Sequence, residues 1–315
     1  MVPPPIREAL ARPMIHHRTA EFQAILKEVG QGLRKLFGTS QEVLILTSSG
    51  TGAMEAAVAN LVSPGEKILV IRGGKFGERW EEIAEAYGAK VAAVNPPWGK
   101  PLDLEALQQE VGRHPDLKVV FATLCETSTG VAYDIQGIRR AVGEKPLLVV
   151  DAISGLGADR FAMDADRVDA TVCGSQKGLM LPPGLAFIAL SPRAWKAVEE
   201  CKSPRYYYDL RLARKAWEKT DTPFTPAISL ILGLVESLKF ILSEGLDRFI
   251  QEHQARSERV RKAISAMGLE LFTDPACASQ AVTTVKVPVG IDGNELVKRI
   301  QQRHGIWIAG GQGKE

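Results

Sequence analysis

The sequence predicts an α/β fold: a mostly parallel sheet of about seven strands with helices on both faces, followed by a small α+β unit. Three observations carry this. From about residue 43, short apolar runs alternate with amphipathic stretches, the pattern of strands and helices winding a parallel sheet. With 315 residues, 45% of them hydrophobic, the chain can bury a large core. After Pro192 the texture changes to long helical stretches, and then to a short strand-like and helical segment.

The apolar runs are, in order, "VLILTSS", "KILVI", "KVAAV", "KVVFATL", "PLLVVDA", "DATVCGS" and "LAFIAL". Helical spacing fills the gaps at Gly52 to Leu61, Glu78 to Tyr87, Leu104 to Val111 and Asp134 to Val142. Later helices are expected at Ala227 to Leu242 and Leu246 to Met267, the second with a charged, solvated face. A strand at Val282 to Val287, a helix at Asn294 to Arg303 and a short apolar "IWIAGG" run complete the pattern. The expected organisation is an N-terminal segment (1–20), a large α/β domain (21–255) and a small C-terminal α+β domain (256–315).

Composition narrows the function. A net charge of +2 with scattered charges suggests neither a nucleic-acid surface nor an acidic tail, so small-molecule ligands are favoured. The four cysteines, Cys125, Cys173, Cys201 and Cys277, form no CxxC pair and have no histidine at zinc spacing. No metal and no disulfide are expected, and the thiols fit a reducing cytoplasm. No signal peptide or membrane-length apolar stretch is read in the sequence, so no membrane partner is expected.

In a doubly wound sheet, ligands bind beyond the carboxyl ends of the strands, and four of the loops there carry unusual residues. "SSGTGAMEA" sets small hydroxyl residues before a helix, whose first amides with Ser49 and Thr51 could cradle a phosphate. It is not a Walker loop, because no GK[ST] follows. Asp151 closes "PLLVV", where a carboxylate is costly to desolvate unless it meets a cation or donors. Lys177, in "GSQKGLM", follows a strand among small residues; partial burial there would lower its pKa and supply a neutral amine. Taken singly, each has a plainer reading as turn, cap or surface lysine. Together, a phosphate cradle, a strand-end carboxylate and a strand-end lysine are what a pyridoxal 5'-phosphate site needs: the lysine forms the Schiff base and the carboxylate keeps the pyridine nitrogen protonated.

The chain resembles the class V, fold-type I pyridoxal-phosphate enzymes, and within them the alanine:glyoxylate and serine:glyoxylate aminotransferases. The ordered segments "MIHHRTAEF", "SSGTGAMEA", "PGEKILV", "GKFGERW", "ETSTGV", "VVDAISGLGA", "GSQKGLMLPPG", "TPFTPAISL" and "GIWIAGGQG" carry the resemblance. It implies that Lys177 holds the cofactor covalently and that Asp151 partners the pyridine nitrogen. Ser49, Gly50, Thr51 and Gln176 would hold the phosphate. Phe76 would stack on the ring, and Thr127 would lie near its phenolic oxygen. Thr225 would complete the phosphate cradle of the neighbouring subunit in a homodimer, and it also reads as a helix cap. The implied reaction moves an amino group from serine or alanine to glyoxylate by a ping-pong mechanism.

The family pattern also includes a "TPGPTP"-like segment before Val2 and an "RIG"-type motif beyond Glu315, whose arginine would clamp the substrate carboxylate; neither is found in the 315 residues. Arg18 and Arg205 are then the arginines to test. Two alternatives stand beside the aminotransferase. A cysteine desulfurase would place a histidine before the lysine, where Gln176 stands, and a nucleophilic cysteine on a late loop, where Cys277 is the candidate. The other is a non-catalytic subunit that keeps the fold. Phosphoserine aminotransferase is disfavoured, since no added basic cluster for a second phosphate is evident.

Overall fold

The computed structural model describes residues 2–312. In chain order the elements are helices α1 (Pro4–Leu10) and α2 (Ala20–Phe37), β1 (Val43–Leu46), α3 (Gly50–Leu61), β2 (Lys67–Ile71), α4 (Lys75–Ala86), β3 (Lys90–Val94) and α5 (Leu104–Gly112). There follow β4 (Val119–Thr123), β5 (Cys125–Glu126), β6 (Val131–Ala132), α6 (Ile135–Val142), β7 (Leu147–Asp151), β8 (Ala170–Gly174) and β9 (Ala186–Leu190). The chain then turns helical: α7 (Pro192–Glu200), α8 (Leu210–Trp217), α9 (Ile228–Leu242), α10 (Leu246–Ala266) and α11 (Gly293–His304).

The seven apolar runs form one seven-stranded sheet in the order β1-β9-β8-β7-β4-β2-β3. The pairs β2–β3, β2–β4, β4–β7 and β7–β8 are parallel, and β9 alone runs against the rest. The carboxyl ends of β1, β2, β4, β7 and β8 therefore share one edge. Alternate strand residues face opposite cores, as a pleat requires. Leu69, Ile71, Val120 and Val150 pack with α2, α5, α6 and α9, whereas Ile68, Val70, Phe121 and Val149 pack with α3, α4, α7 and α8. Burial on both faces explains why the strands read as unbroken apolar runs.

The N-terminal residues are more ordered than the sequence suggested. Pro4 opens α1, which packs on α9, and Thr19 caps α2 by accepting from Phe22 N at 3.3 Å. The helix ends at Gly38 in the left-handed region (φ 62°). Two expectations are corrected. The strand at Val282 to Val287 reduces to one antiparallel bridge, Val285 with Leu271, flanked by Phe272 N to Thr284 O at 3.0 Å and Lys286 N to Glu270 O at 2.9 Å, and Pro288, which has no N–H, follows. Thr225 does not cap a helix: α9 begins after Ala227, whose N–H donates to Thr47 Oγ1. Gly313 of the "GGQG" segment, with Lys314 and Glu315, lies outside the described residues.

Candidate active site

The strand edge gathers the loops that carry the expected residues. At the end of β1, Ser49 precedes α3 and makes no side-chain cap bond, so its hydroxyl and the first amides of α3 lack intrahelical partners. Ser49 and Thr51 are exposed, whereas Gly50 is buried. A Cβ on Gly174, at the end of β8, would stand 2.9 Å from Gln176 Oε1 and 3.4 Å from Gly50 Cα. Strand end, amide and helix start thus converge, which requires glycine at position 174. Gln176 Oε1 is buried without a hydrogen-bond partner. The free amides at the start of α3 fit an anion such as a phosphate, to which Gln176 would turn its Nε2 donor, since Oε1 can only accept.

Asp151 ends β7 and is buried. Its Oδ1 accepts from Ile153 N at 2.8 Å, so the plain turn-cap role is present as well. Burial pushes the carboxyl up to about 7; the Ile153 N–H pulls it down, Glu126 pushes it up, and Arg79 and Lys177 pull it down. A carboxylate in that position gains most from a cationic partner. Across the sheet it pairs in register with Thr123, whose hydroxyl is also buried without a partner.

The lysine loop is pinned at both ends. Ser175 Oγ donates to Pro182 O and accepts from Leu185 N, and Met180 N donates to Lys177 O at 2.9 Å. Met180 sits at φ 56°, a left-handed conformation that is rare for its type and holds the turn tight. Lys177 itself is exposed rather than partly buried.

Phe76, in the first turn of α4, is half-buried. Arg79 lies 4.9 Å from its ring centroid and donates to Thr51 Oγ1 at 3.3 Å. Thr127 Oγ1 and Ser154 Oγ are 2.6 Å apart, joining the loops after β4 and β7. Thr225 is exposed beside Thr47 and Phe224, near the approach to the Ser49 loop. Sequence reasoning missed two residues here, Glu126 and Arg79. Glu126 carried a usable signal, since it follows an apolar run just as Asp151 does.

Two other expectations fail for physical reasons. Arg205 is committed to the scaffold: Nη1 donates to the carbonyls of Ala59, Cys201 and Ser203, and Nη2 to that of Val198. It is not free to clamp a substrate. Cys277 lies by Gly99 O and Asp274 O, and burial and the Asp274 charge raise its thiol pKa, the opposite of what a nucleophile needs. Among the described residues no cluster of histidine, cysteine or carboxylate could hold a metal, and no helix is long and apolar enough to cross a membrane.

The class V aminotransferase family model matches residues 7–313. The soluble hydrogenase 42 kDa subunit of Anabaena cylindrica is 42% identical over 98% of this chain and 83% of its own. L-aspartate–glyoxylate aminotransferase of Paracoccus denitrificans is 37% identical over 99% of this chain and 81% of its own. Among solved structures, alanine–glyoxylate aminotransferase of Nostoc sp. superposes with a TM-score of 0.93 at 31% identity, over 99% of this chain and 84% of that one. With the family matched along nearly the whole chain, and with Asp151, Lys177 and a glycine-lined helix start on one sheet edge, the chain belongs to the class V aminotransferases, pyridoxal-phosphate enzymes of fold-type I.

Proposed function

We propose that the chain transfers an amino group from a short amino acid, serine or alanine, to glyoxylate in two alternating half-reactions. The observation that carries this is the gathering of Asp151, Lys177, Gln176 and the start of α3 at the carboxyl ends of β7, β8 and β1 on one sheet edge. Relatives named for aspartate–glyoxylate and alanine–glyoxylate transfer share glyoxylate as the acceptor, which supports the acceptor more firmly than the donor.

When bound, pyridoxal phosphate supplies an electron sink for the pair left when the substrate loses its α-proton. The remaining work belongs to the chain. Amides at the start of α3, the Ser49 and Thr51 hydroxyls and the Gln176 amide bind the phosphate. The Phe76 ring would cover one face of the cofactor ring, and Thr127 would hold its phenolic side. Asp151 holds a proton at the ring nitrogen, an arrangement its burial favours once a cation meets it. Lys177 Nζ would hold the cofactor covalently and, when free, would be the base that moves the α-proton. We further propose a cytoplasmic homodimer in which Thr225 reaches the partner's phosphate cradle.

The test is steady-state kinetics with serine, alanine and aspartate against glyoxylate. Parallel double-reciprocal lines with glycine as product are expected. Intersecting lines, or no glycine from any donor, would refute the proposal. The hydrogenase-subunit name of a close relative favours a second reading, a subunit that binds cofactor without turning over, and that last outcome would support it.

A further inference from the structure

We infer that Glu126 is a positioning residue of the cofactor site: its buried carboxylate seats the first turn of α4 and thereby fixes Phe76 as the shelf for the cofactor ring. The inference rests on the proposed stacking role of Phe76. Glu126 is fully buried. Its Oε2 accepts from Phe76 N at 3.2 Å and Gly77 N at 2.9 Å. Its Oε1 accepts from Phe76 N and Ser128 N, each at 3.3 Å, and from Ser128 Oγ at 2.5 Å. Ser128 Oγ in turn accepts from Lys75 N at 3.0 Å. The first amides of a helix have no acceptor within it, and here a carboxylate from another loop takes them, at the end where the helix dipole favours a negative charge.

The fit leaves no slack. A Cβ on Gly74 would stand 2.6 Å from Glu126 Cδ, so the loop before α4 closes directly on the carboxylate. The turn that carries Glu126 is also held from its other side. Thr129 O accepts from Thr273 Oγ1 at 2.5 Å and Thr284 Oγ1 at 3.2 Å, and Gly130 O accepts from Ser279 N at 2.9 Å. A turn so tied cannot shift to compensate for a changed Glu126, so the damage falls on α4. The same carboxylate acts on Asp151, which also feels Arg79 and Lys177 and in turn pushes up the buried thiols of Cys125 and Cys173. A neutral side chain at position 126 removes one negative charge from that group.

Glu126→Gln keeps the shape but leaves one acceptor oxygen for two sets of donors. In the protein without added cofactor, hydrogen exchange at Phe76 and Gly77 should quicken by about ten-fold or more, while Ser279 stays protected. Titrated with pyridoxal 5'-phosphate, the variant should bind roughly ten-fold or more weakly, with a diminished circular-dichroism band from the bound cofactor. Faster exchange with unchanged affinity and dichroism would overturn the positioning role, as would unchanged exchange. Phe76→Leu is run in parallel: if it leaves affinity and dichroism intact, the stacking role of Phe76 fails, while the seat for α4 is judged on exchange alone. Should Glu126→Gln not fold, Ser128→Ala removes only the bridging hydroxyl. It should show a milder loss of protection over Lys75 to Gly77 and weaker cofactor binding, and no change in either would overturn the inference.

Discussion

Asp151 was legible in the sequence because it ends an apolar run, where a charge has no solvent to meet unless it has work to do, and Lys177 because it follows such a run within a frame of small residues and a proline-glycine turn. Glu126 obeys the same logic yet was passed over, since its partners are backbone amides from a loop fifty residues away that no local pattern reveals. Asp151 makes a direct prediction. Its folded carboxyl titrates near 7 rather than 3.8, so between those values the folded state holds a proton that the unfolded state lacks. Stability without cofactor should therefore fall as pH rises through that window and level off above it. Asp151→Asn should remove this slope, which thermal melts of both proteins at pH 5 and pH 8 will check. The variant should also still bind cofactor but lose most of its turnover. Arg205 sits at the other extreme, legible as a cation but not as a scaffold group. Arg205→Leu should destabilise the fold by about 2 to 4 kcal/mol through its stranded carbonyls. KM for the amino donor should stay unchanged, and a raised KM at unchanged melting temperature would contradict its assignment to the scaffold.

At the scale of elements, the seven strands and the helices between them followed from period and punctuation, because strands buried on both faces cannot hide their apolar runs. The short hairpin of β5 and β6 did not. Two-residue strands have no period, and their pairing depends on the tight turn through Gly130 at φ 75°. The α1 helix was missed because seven residues opening with prolines look like coil until α9 is there to pack against. The strand expected at Val282 shrank to a single bridge because its neighbour, the segment around Leu271, pairs with it over only about three residues. The close approach of β8 to α3 gives the prediction at this scale. Gly174→Ala would push a methyl against Gln176 and Gly50, and should weaken binding of pyridoxal phosphate by roughly ten-fold while the fold persists. Binding of inorganic phosphate to the variant and the parent, compared by calorimetry, separates damage to the cradle from damage elsewhere.

For the whole molecule, one sheet edge collects loops from sequence positions 47 to 181, an arrangement that topology dictates and single residues do not announce. Near that edge, Tyr206, Tyr207 and Phe224 form an aromatic group, with Tyr206 76% exposed and Phe224 stacked on Tyr207 at 4.8 Å. Exposed aromatics beside an exposed Thr225 fit a surface that a second copy covers. Light scattering should give a dimer, and Thr225→Ala should retain cofactor less well without losing dimer mass. A monomer holding full cofactor would contradict this.

The claim beneath all of these is that Lys177 is the residue to which the cofactor is attached. The direct measurement is borohydride reduction of the protein loaded with pyridoxal 5'-phosphate, followed by peptide mapping by mass spectrometry. The account predicts a single stable adduct on Lys177, absent from Lys177→Ala, whose melting temperature stays near that of the parent. An adduct on another lysine, or none on a protein that binds the cofactor tightly, would contradict it.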